Sequence, residues 1–445
     1  MGRMYFGTDG IRGRVGEHPM TVDFALRLAS AAARVLAPQG GAVLIGKDTR
    51  LSGYMFESAS EAGFVAAGVN VLLMGPLPTP GIAYMTRQLK CNLGVVISAS
   101  HNLYEDNGIK FFDSSGGKLS DQLEEQIEAQ LADAPLTRSS GGLGRARRVD
   151  TTRVMYQDFC RSTLPAGVSL AGLKIVVDCA NGAAYKVAPR VLADLGADIV
   201  PIGCSPNGRN INVGCGSTSP ELLQLTVPGV HAQVGIALDG DGDRLLMVDH
   251  LGRVVDGDQL LFIIACARHE AGALPGPVVG TQMSNLGLEL ALRRRGIAFE
   301  RAAVGDRYVL ARLRETGGTL GGDTSGHILC LDRTTTGDGL ISALQVLAVM
   351  QQSRKSLAEL ASGMTRLPQV MVNVPVAERF DPVEDPAVKA LLRATEARLG
   401  GRGRIVLRAS GTEPLIRIMV EAQDESQARE CAEQLAVAVR VAGGG

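Results

Sequence analysis

The chain has 445 residues, is 45% hydrophobic, and carries 45 Lys+Arg against 46 Asp+Glu. That length exceeds what one hydrophobic core serves and predicts three or four domains. A net charge of −1 excludes a global field drawing nucleic acid or a membrane surface, and 4% aromatics with no Trp argue against a stacking platform for single strands or polysaccharide.

Short apolar runs alternate with helical patterns through most of the chain, the signature of βαβ units and a largely parallel sheet. Residues 43–45, 69–74 and 94–97 read as strands, with helices at 24–36 and 53–67. The run at 94–97 stops at Ser98-Ala99-Ser100-His101-Asn102, and a polar, turn-rich segment then recovers as a second strand carrying Lys110. Residues 134–148, rich in Gly, Ser and Arg, read as a linker whose basic cluster at 145–148 is solvated. Strands follow at 175–178, 198–202, 234–238 and 245–249, then at 278–280, 297–303 and 319–320, with a helix at 339–352. Arg293-Arg294-Arg295, ahead of Gly296, reads as cations complementing a helix C-terminus. Past Leu367-Pro368 come strands at 369–376, 404–407 and 416–422 and a helix at 425–441. The expected division is 1–150, 151–253, 254–367 and a smaller α+β unit at 368–445. Eight cysteines with no CxxC pair are expected as reduced packing residues. No signal-peptide pattern is visible and no apolar stretch approaches the ~20 residues that cross a bilayer. A cytoplasmic protein is expected, without membrane or nucleic-acid partners.

The chemistry concentrates where apolar strands end. A hydroxyl there, as at Ser100, is where an α/β protein presents a nucleophile, although a serine in a polar turn is more often a cap. Asp239-Gly240-Asp241-Gly242-Asp243-Arg244 follows the strand at 234–238. Its alternate carboxylates can face one way, and packed so closely they require a cation; all-oxygen ligation points to Mg²⁺. An EF-hand does not match, because Arg244 stands sixth and His250 twelfth from Asp239. Residues 41–48 nearly spell a P-loop, but Asp48 stands where Ser or Thr must bind the metal. Residues 408–417 supply Arg408, Ser410, Gly411, Thr412 and Arg417 on one loop after a strand, a phosphate cradle on physical grounds. Lys110, facing a cleft with a lowered pKa, would move a hydroxyl proton. Together these features suggest phosphoryl transfer.

The order SASHN, DNGIKF, DGDGDR, GGDTSGH at 321–327 and RASGTEP at 408–414 resembles the α-D-phosphohexomutase superfamily over nearly the whole chain. FGTDGIRG at 6–13 and VGDRYV at 304–309 are most similar to its phosphoglucosamine mutase branch. The resemblance implies three tandem mixed α/β domains plus a C-terminal α+β lid domain around a central cleft. It implies a phosphate on Ser100 and a Mg²⁺ held by Asp239, Asp241, Asp243 and a phosphoserine oxygen. It also implies proton transfer by Lys110, with Arg12, His101, Arg244 and His327 around the reacting phosphoryl group. Asp323 and Ser325 are then expected on the sugar hydroxyls, and 408–417 on the distal phosphate. The implied reaction interconverts glucosamine 6-phosphate and glucosamine 1-phosphate through glucosamine 1,6-bisphosphate, which also serves as activator, in cell-wall amino-sugar supply. An unidentified phosphate donor or kinase primes Ser100, and the assembly is a monomer or homodimer. Leu103 replaces the family's usual Pro, Asp323-Thr324 its Glu followed by Gln or Met, and Ser219 a frequent His. Alternatives are a glucose or mannose phosphomutase, a phosphotransferase with Asp239 as nucleophile, and a phosphosugar sensor without turnover.

Overall fold

The computed structural model describes residues 3–376, 380–409 and 414–443. Four sheets follow one another along the chain. The first has the strand order Ile11–Arg14, Asp106–Asp113, Leu93–Ile97, Gly41–Lys47, Val69–Pro76, Ala146–Arg148. Its interior strand Leu93–Ile97 is buried along its whole length, as a continuous apolar run between parallel and antiparallel neighbours should be. The second sheet runs Val254–Val255, Leu245–Asp249, Val234–Leu238, Lys174–Asp178, Asp198–Ile202. The third runs Phe299–Ala302, Val278–Thr281, Leu320–Gly322, Ile328–Cys330. The fourth, Gln369–Pro375, Leu415–Glu421, Arg404–Ala409, is antiparallel throughout. The fold is thus mixed α/β followed by a small α+β unit.

One element departs from the sequence reading. Residues 146–148, expected in a solvated linker, pair in parallel with 71–73 as an edge strand of the first sheet. Its side chains are exposed, which is why periodicity conceals it, and an arginine-rich edge discourages pairing with other chains.

Each of the first three sheets contains the same local device. A buried strand ends in a loop, and the chain returns as an antiparallel neighbour: 97 to 106, 238 to 245 and 322 to 328. The three loops meet. A Cβ on Gly240 would lie 2.6 Å from the Ser100 carbonyl oxygen, and one on Gly326 1.8 Å from that of Leu245, so glycine is required at both contacts. A single apolar core runs from Leu44 through Ile236 to Leu344 and ties the three sheets together. Helices Val22–Leu36 and Ser52–Ala66 cover the other face of the first sheet with a separate core. The fourth sheet has its own core with the helix Glu425–Ala442. Its described polar links to the rest include Glu421 accepting from the Leu286 N–H (3.1 Å) and Arg404 reaching the carbonyls of Gln282 (2.7 Å) and Ser284 (2.9 Å). Among the described residues no helix is long and apolar enough to cross a membrane.

Helix Gly257–Glu270 opens on a capping box at Asp256 and buries Asp258 completely. Burial pushes the Asp258 carboxyl up to about 7, while the Asn285 N–H and the Thr324 hydroxyl, both 2.8 Å away, hold it down. A carboxyl raised on folding stabilises most below its unfolded value, and that stability is lost as pH climbs toward the folded value. Relative to wild type, Asp258→Asn should therefore gain stability as pH rises from 5 to 7 and keep that gain at pH 8, by about 3 kcal/mol at about 1.4 kcal/mol per pH step. Thermal melts of both proteins across that range check this; parallel curves contradict it.

Candidate active site

Ser100 sits at the carboxyl end of Leu93–Ile97 with a left-handed φ of +52°, a conformation L-residues rarely adopt. Its N–H donates to Ser98 Oγ (2.9 Å) and its hydroxyl to Asp239 Oδ2 (2.6 Å). The same twist brings His101 Nδ1 to 3.4 Å from Ser100 Oγ, whereas consecutive side chains ordinarily diverge. Burial, then Arg244 and Arg12, press His101 down to about 4, so the imidazole is neutral near pH 7. Leu103 is half exposed, and the loop is held instead by Asn102 Nδ2 on Asp106 (2.9 Å) and backbone bonds at 99–102 and 103–106.

Asp239, Asp241 and Asp243 are all buried and can each offer an oxygen within 4.8 Å of the other two. Burial and then the neighbouring carboxylates raise Asp239 well above its ordinary value. Asp241 Oδ1 is buried without a hydrogen-bond partner, and Asp243 Oδ1 has His327 Nδ1 at 3.7 Å. Buried unpaired carboxylate oxygens in an all-oxygen cluster fit a hard divalent cation. The residues present therefore suit the expected metal.

Lys110 faces this cluster from the strand Asp106–Asp113, 2.8 Å from Asp241 and from Asp9 and 3.7 Å from Asp243. The expected lowered pKa is not what the structure gives. Burial opposes the ammonium, but the carboxylates of Asp241, Asp9 and Asp243 outweigh it, and Lys110 is held above the usual lysine range.

Above the cluster opens a cavity of about 450 Å³, lined by Arg12 and Ser100 from the first sheet, Asp243 and Arg244 from the second, and Asp323 and His327 from the third. Arg12 Nε and Arg244 Nε are buried without hydrogen-bond partners, and His327 Nε2 has Asp306 at 3.4 Å. Burial disfavours the His327 cation, but Asp243 and then Asp306 more than compensate and raise it to about 9. Three cationic groups from three sheets thus meet around the serine hydroxyl with donor capacity to spare. The cavity also holds Asp9 and Asp306, to which no role was assigned from sequence. Asp9 pairs with Arg12 and Lys118, and Lys118 bridges on to Asp306. Asp9, three residues before Arg12 in FGTDGIRG, and Asp306, in VGDRYV, lay inside motifs already noted, but nothing in their spacing gives them a partner so far along the chain.

Asp323 lines the cavity, whereas Ser325 is exposed and donates to Asp323 (2.6 Å). Thr324 turns away to the buried Asp258. Ser219 lies in a turn, its N–H on the Gly216 carbonyl. Arg408 and Arg417 are direct cross-strand partners in the fourth sheet, so both point from one face. No described residue of that sheet lines the cavity; Ser410, Gly411 and Thr412 lie outside the described residues.

Profiles of the phosphoglucomutase/phosphomannomutase family match at residues 3–137 (alpha/beta/alpha domain I), 156–252 (domain II), 256–367 (domain III) and 371–438 (C-terminal domain). The phosphoglucosamine mutase of Thioalkalivibrio sulfidiphilus is 57% identical over 444 residues, 99% of this chain and 98% of that one. Among solved structures, a phosphoglucomutase/phosphomannomutase family protein of Burkholderia thailandensis superposes with a TM-score of 0.82 at 25% identity, over 99% of this chain and 98% of that one. The N-acetylphosphoglucosamine mutase of Aspergillus fumigatus, in complex with GlcNAc-6P and magnesium, has the same fold, with a TM-score of 0.72 at 20% identity over 99% and 96%. With all four profiles in order and a relative of this identity along its whole length, the chain belongs to the phosphoglucomutase/phosphomannomutase family of α-D-phosphohexomutases.

Proposed function

We propose that this chain interconverts glucosamine 6-phosphate and glucosamine 1-phosphate, with Ser100 carrying the transferring phosphoryl group. The observation that carries this reading is the Ser100 hydroxyl in a cavity where Arg12 and Arg244 hold unpaired buried donors beside the raised His327. Such a ring favours a phosphoryl dianion over the empty cavity and spreads the charge of a transferring phosphoryl group. The high identity to relatives named phosphoglucosamine mutase supports the amino sugar as substrate.

Phosphoserine 100 gives its phosphoryl group to the free hydroxyl of the bound sugar phosphate, forming the 1,6-bisphosphate. After that intermediate turns end for end, Ser100 takes the other phosphate. Lys110, held as an ammonium by its carboxylates, gives a proton to the departing seryl oxygen and recovers one from the attacking sugar hydroxyl, and the exchange runs in reverse when Ser100 takes the second phosphate. Asp323 orients the sugar hydroxyls, with Ser325 fixing its carboxylate. Arg408 and Arg417, with the segment between them, receive the distal phosphate when the fourth unit closes. Asp239, Asp241, Asp243 and a phosphoserine oxygen would hold Mg²⁺, which when bound supplies Lewis-acid charge to the phosphoryl oxygens.

The nucleophile is tested directly. Active protein should yield a phosphopeptide spanning residues 98–110 whose ester on Ser100 survives hydroxylamine, and Ser100→Ala should lower kcat by about 10³-fold or more. Added glucosamine 1,6-bisphosphate should reactivate dephosphorylated wild type but not Ser100→Ala. A hydroxylamine-labile label, or near-normal turnover of the variant, moves the nucleophile to Asp239.

Chelation with EDTA, or Asp241→Asn, should cut kcat at least about 100-fold, with circular dichroism unchanged and Mg²⁺ restoring only the chelated wild type. Undiminished turnover in excess EDTA refutes the metal.

For specificity, kcat/KM should favour glucosamine 1-phosphate over the glucose and mannose 1-phosphates in a coupled assay, and Asp323→Glu should be tolerated or improve turnover, because the added methylene only extends the reach of a carboxylate at the cavity wall. A clear preference for glucose or mannose 1-phosphate assigns the chain to another branch of its family.

A further inference from the structure

The loop that follows the strand Gly41–Lys47 has no part in the reading above, yet it lies against the Ser100 loop. Arg50 in this loop is fully buried. Its Nη1 pairs with Asp48 and lies 3.4 Å from Ser98 Oγ, while its Nη2 donates to the backbone carbonyls of Ser100 (3.2 Å) and Asn102. From the other side comes Asn212, 4% exposed, on a loop of the second sheet's half of the site. Its Nδ2 donates to the same two carbonyls, at 2.9 Å to Ser100 and 2.8 Å to Asn102. Both carbonyls flanking His101 are therefore gripped twice, by side chains 162 positions apart in sequence. With the Ser100 N–H on Ser98 Oγ, both backbone polar atoms of Ser100 are fixed.

We propose that Arg50 and Asn212 are positioning residues that hold Ser100 in its left-handed conformation, so that its oxygen points at Asp239 and into the cavity. The clamp rests on the reading that Ser100 carries the phosphoryl group. Relaxation of Ser100 to an ordinary negative φ would redirect its side chain, whereas in the observed twist Oγ stands 2.6 Å from Asp239. A buried Arg–Asp pair is a poor device for stability alone, since apolar residues of equal volume commonly do as well. Its planar fork explains its presence here: one guanidinium reaches a carboxylate and two carbonyls at once, which the single ammonium of lysine does not. Asn212 gives the clamp a second property. It joins the serine loop to the half of the site that carries the carboxylates, where a Cβ on Gly240 would stand 2.8 Å from Asn212 Nδ2. The two loops are thus set against each other by the residues that aim the serine.

The test uses Arg50→Lys and Asn212→Gly in the full chain; glycine accepts the φ of +60° at position 212 without strain. Each variant should lose about 100-fold or more in kcat, as a misplacement of about 1 Å does, with KM within about threefold of wild type because the sugar-binding groups are untouched. The ³¹P resonance of phosphoserine 100 should shift in both, a change that loss of stability alone does not produce. The double variant should fall little below the worse single, as expected for groups that act as one. Should Arg50→Lys not fold, Asn212→Gly alone decides. Wild-type kcat in folded Asn212→Gly, a loss confined to KM, or an unmoved ³¹P resonance overturns the clamp. Turnover by Ser100→Ala would instead remove the reading beneath it, so the two failures are distinct.

Discussion

Asp239, Asp241 and Asp243 stand with oxygens within 4.8 Å of one another and out of solvent, and their repulsion dictates what each neighbouring group must be. A carboxylate cluster of this kind survives burial only if one member takes up a proton or cations gather around it. Both responses are visible: Asp239 is raised, while Asp243 is held low despite its burial by Lys110, His327 and Arg244. Lys110 and His327 are raised by the same field. The cations around the serine are therefore consequences of the carboxylates, and the serine hydroxyl is tied to the same cluster through Asp239.

The fold makes that concentration of charge affordable. Three sheets share one continuous apolar core, so the loops carrying Ser100, the aspartates and His327 are set by packing remote from the site. Their carboxyl-end loops are short hairpin returns rather than long excursions, which leaves few degrees of freedom for the charges to push them apart. The glycines at 240 and 326 permit backbone contact between loops of different sheets, the closest joining available to a protein chain.

The strand ends were legible because burial imposes a composition: 94–97 and 234–238 are uniformly apolar, and what interrupts them abruptly is chemistry. Ser100 and the aspartates could be named on that ground, while Arg12, Arg244, His327 and Asp323 came from the resemblance and are brought to one cavity. The position of Lys110 is legible in its motif but its charge state is not, because the carboxylates of residues 9, 241 and 243 that outweigh its burial come from distant parts of the chain. Arg50 and Asn212 escaped notice because their partners are backbone carbonyls, which leave no trace in a sequence. The edge strand at 146–148 was hidden by its exposure on every side chain. Thr324 read as a departure from pattern, yet its hydroxyl satisfies a buried carboxyl that no local window reveals.

The fourth sheet stands in a different physical relation to the site. It has its own core, and its described polar connections to the third sheet include hydrogen bonds at Glu421 and Arg404 and, at the junction, Asn285 accepting from the N–H and donating to the carbonyl of Leu367, both at 3.0 Å. Polar links of this kind exchange with water at little net cost, whereas separating an apolar core does not. Arg408 and Arg417 are cross-strand partners, so both arginines lie on one face of that sheet. On the proposed reaction either end of a bisphosphate can approach that face. On that reading, a sheet joined by exchangeable bonds and presenting two arginines on one face can release the intermediate to turn and receive it again. The rigid three-sheet body meanwhile keeps Ser100, the carboxylates and their cations in one geometry for both transfers.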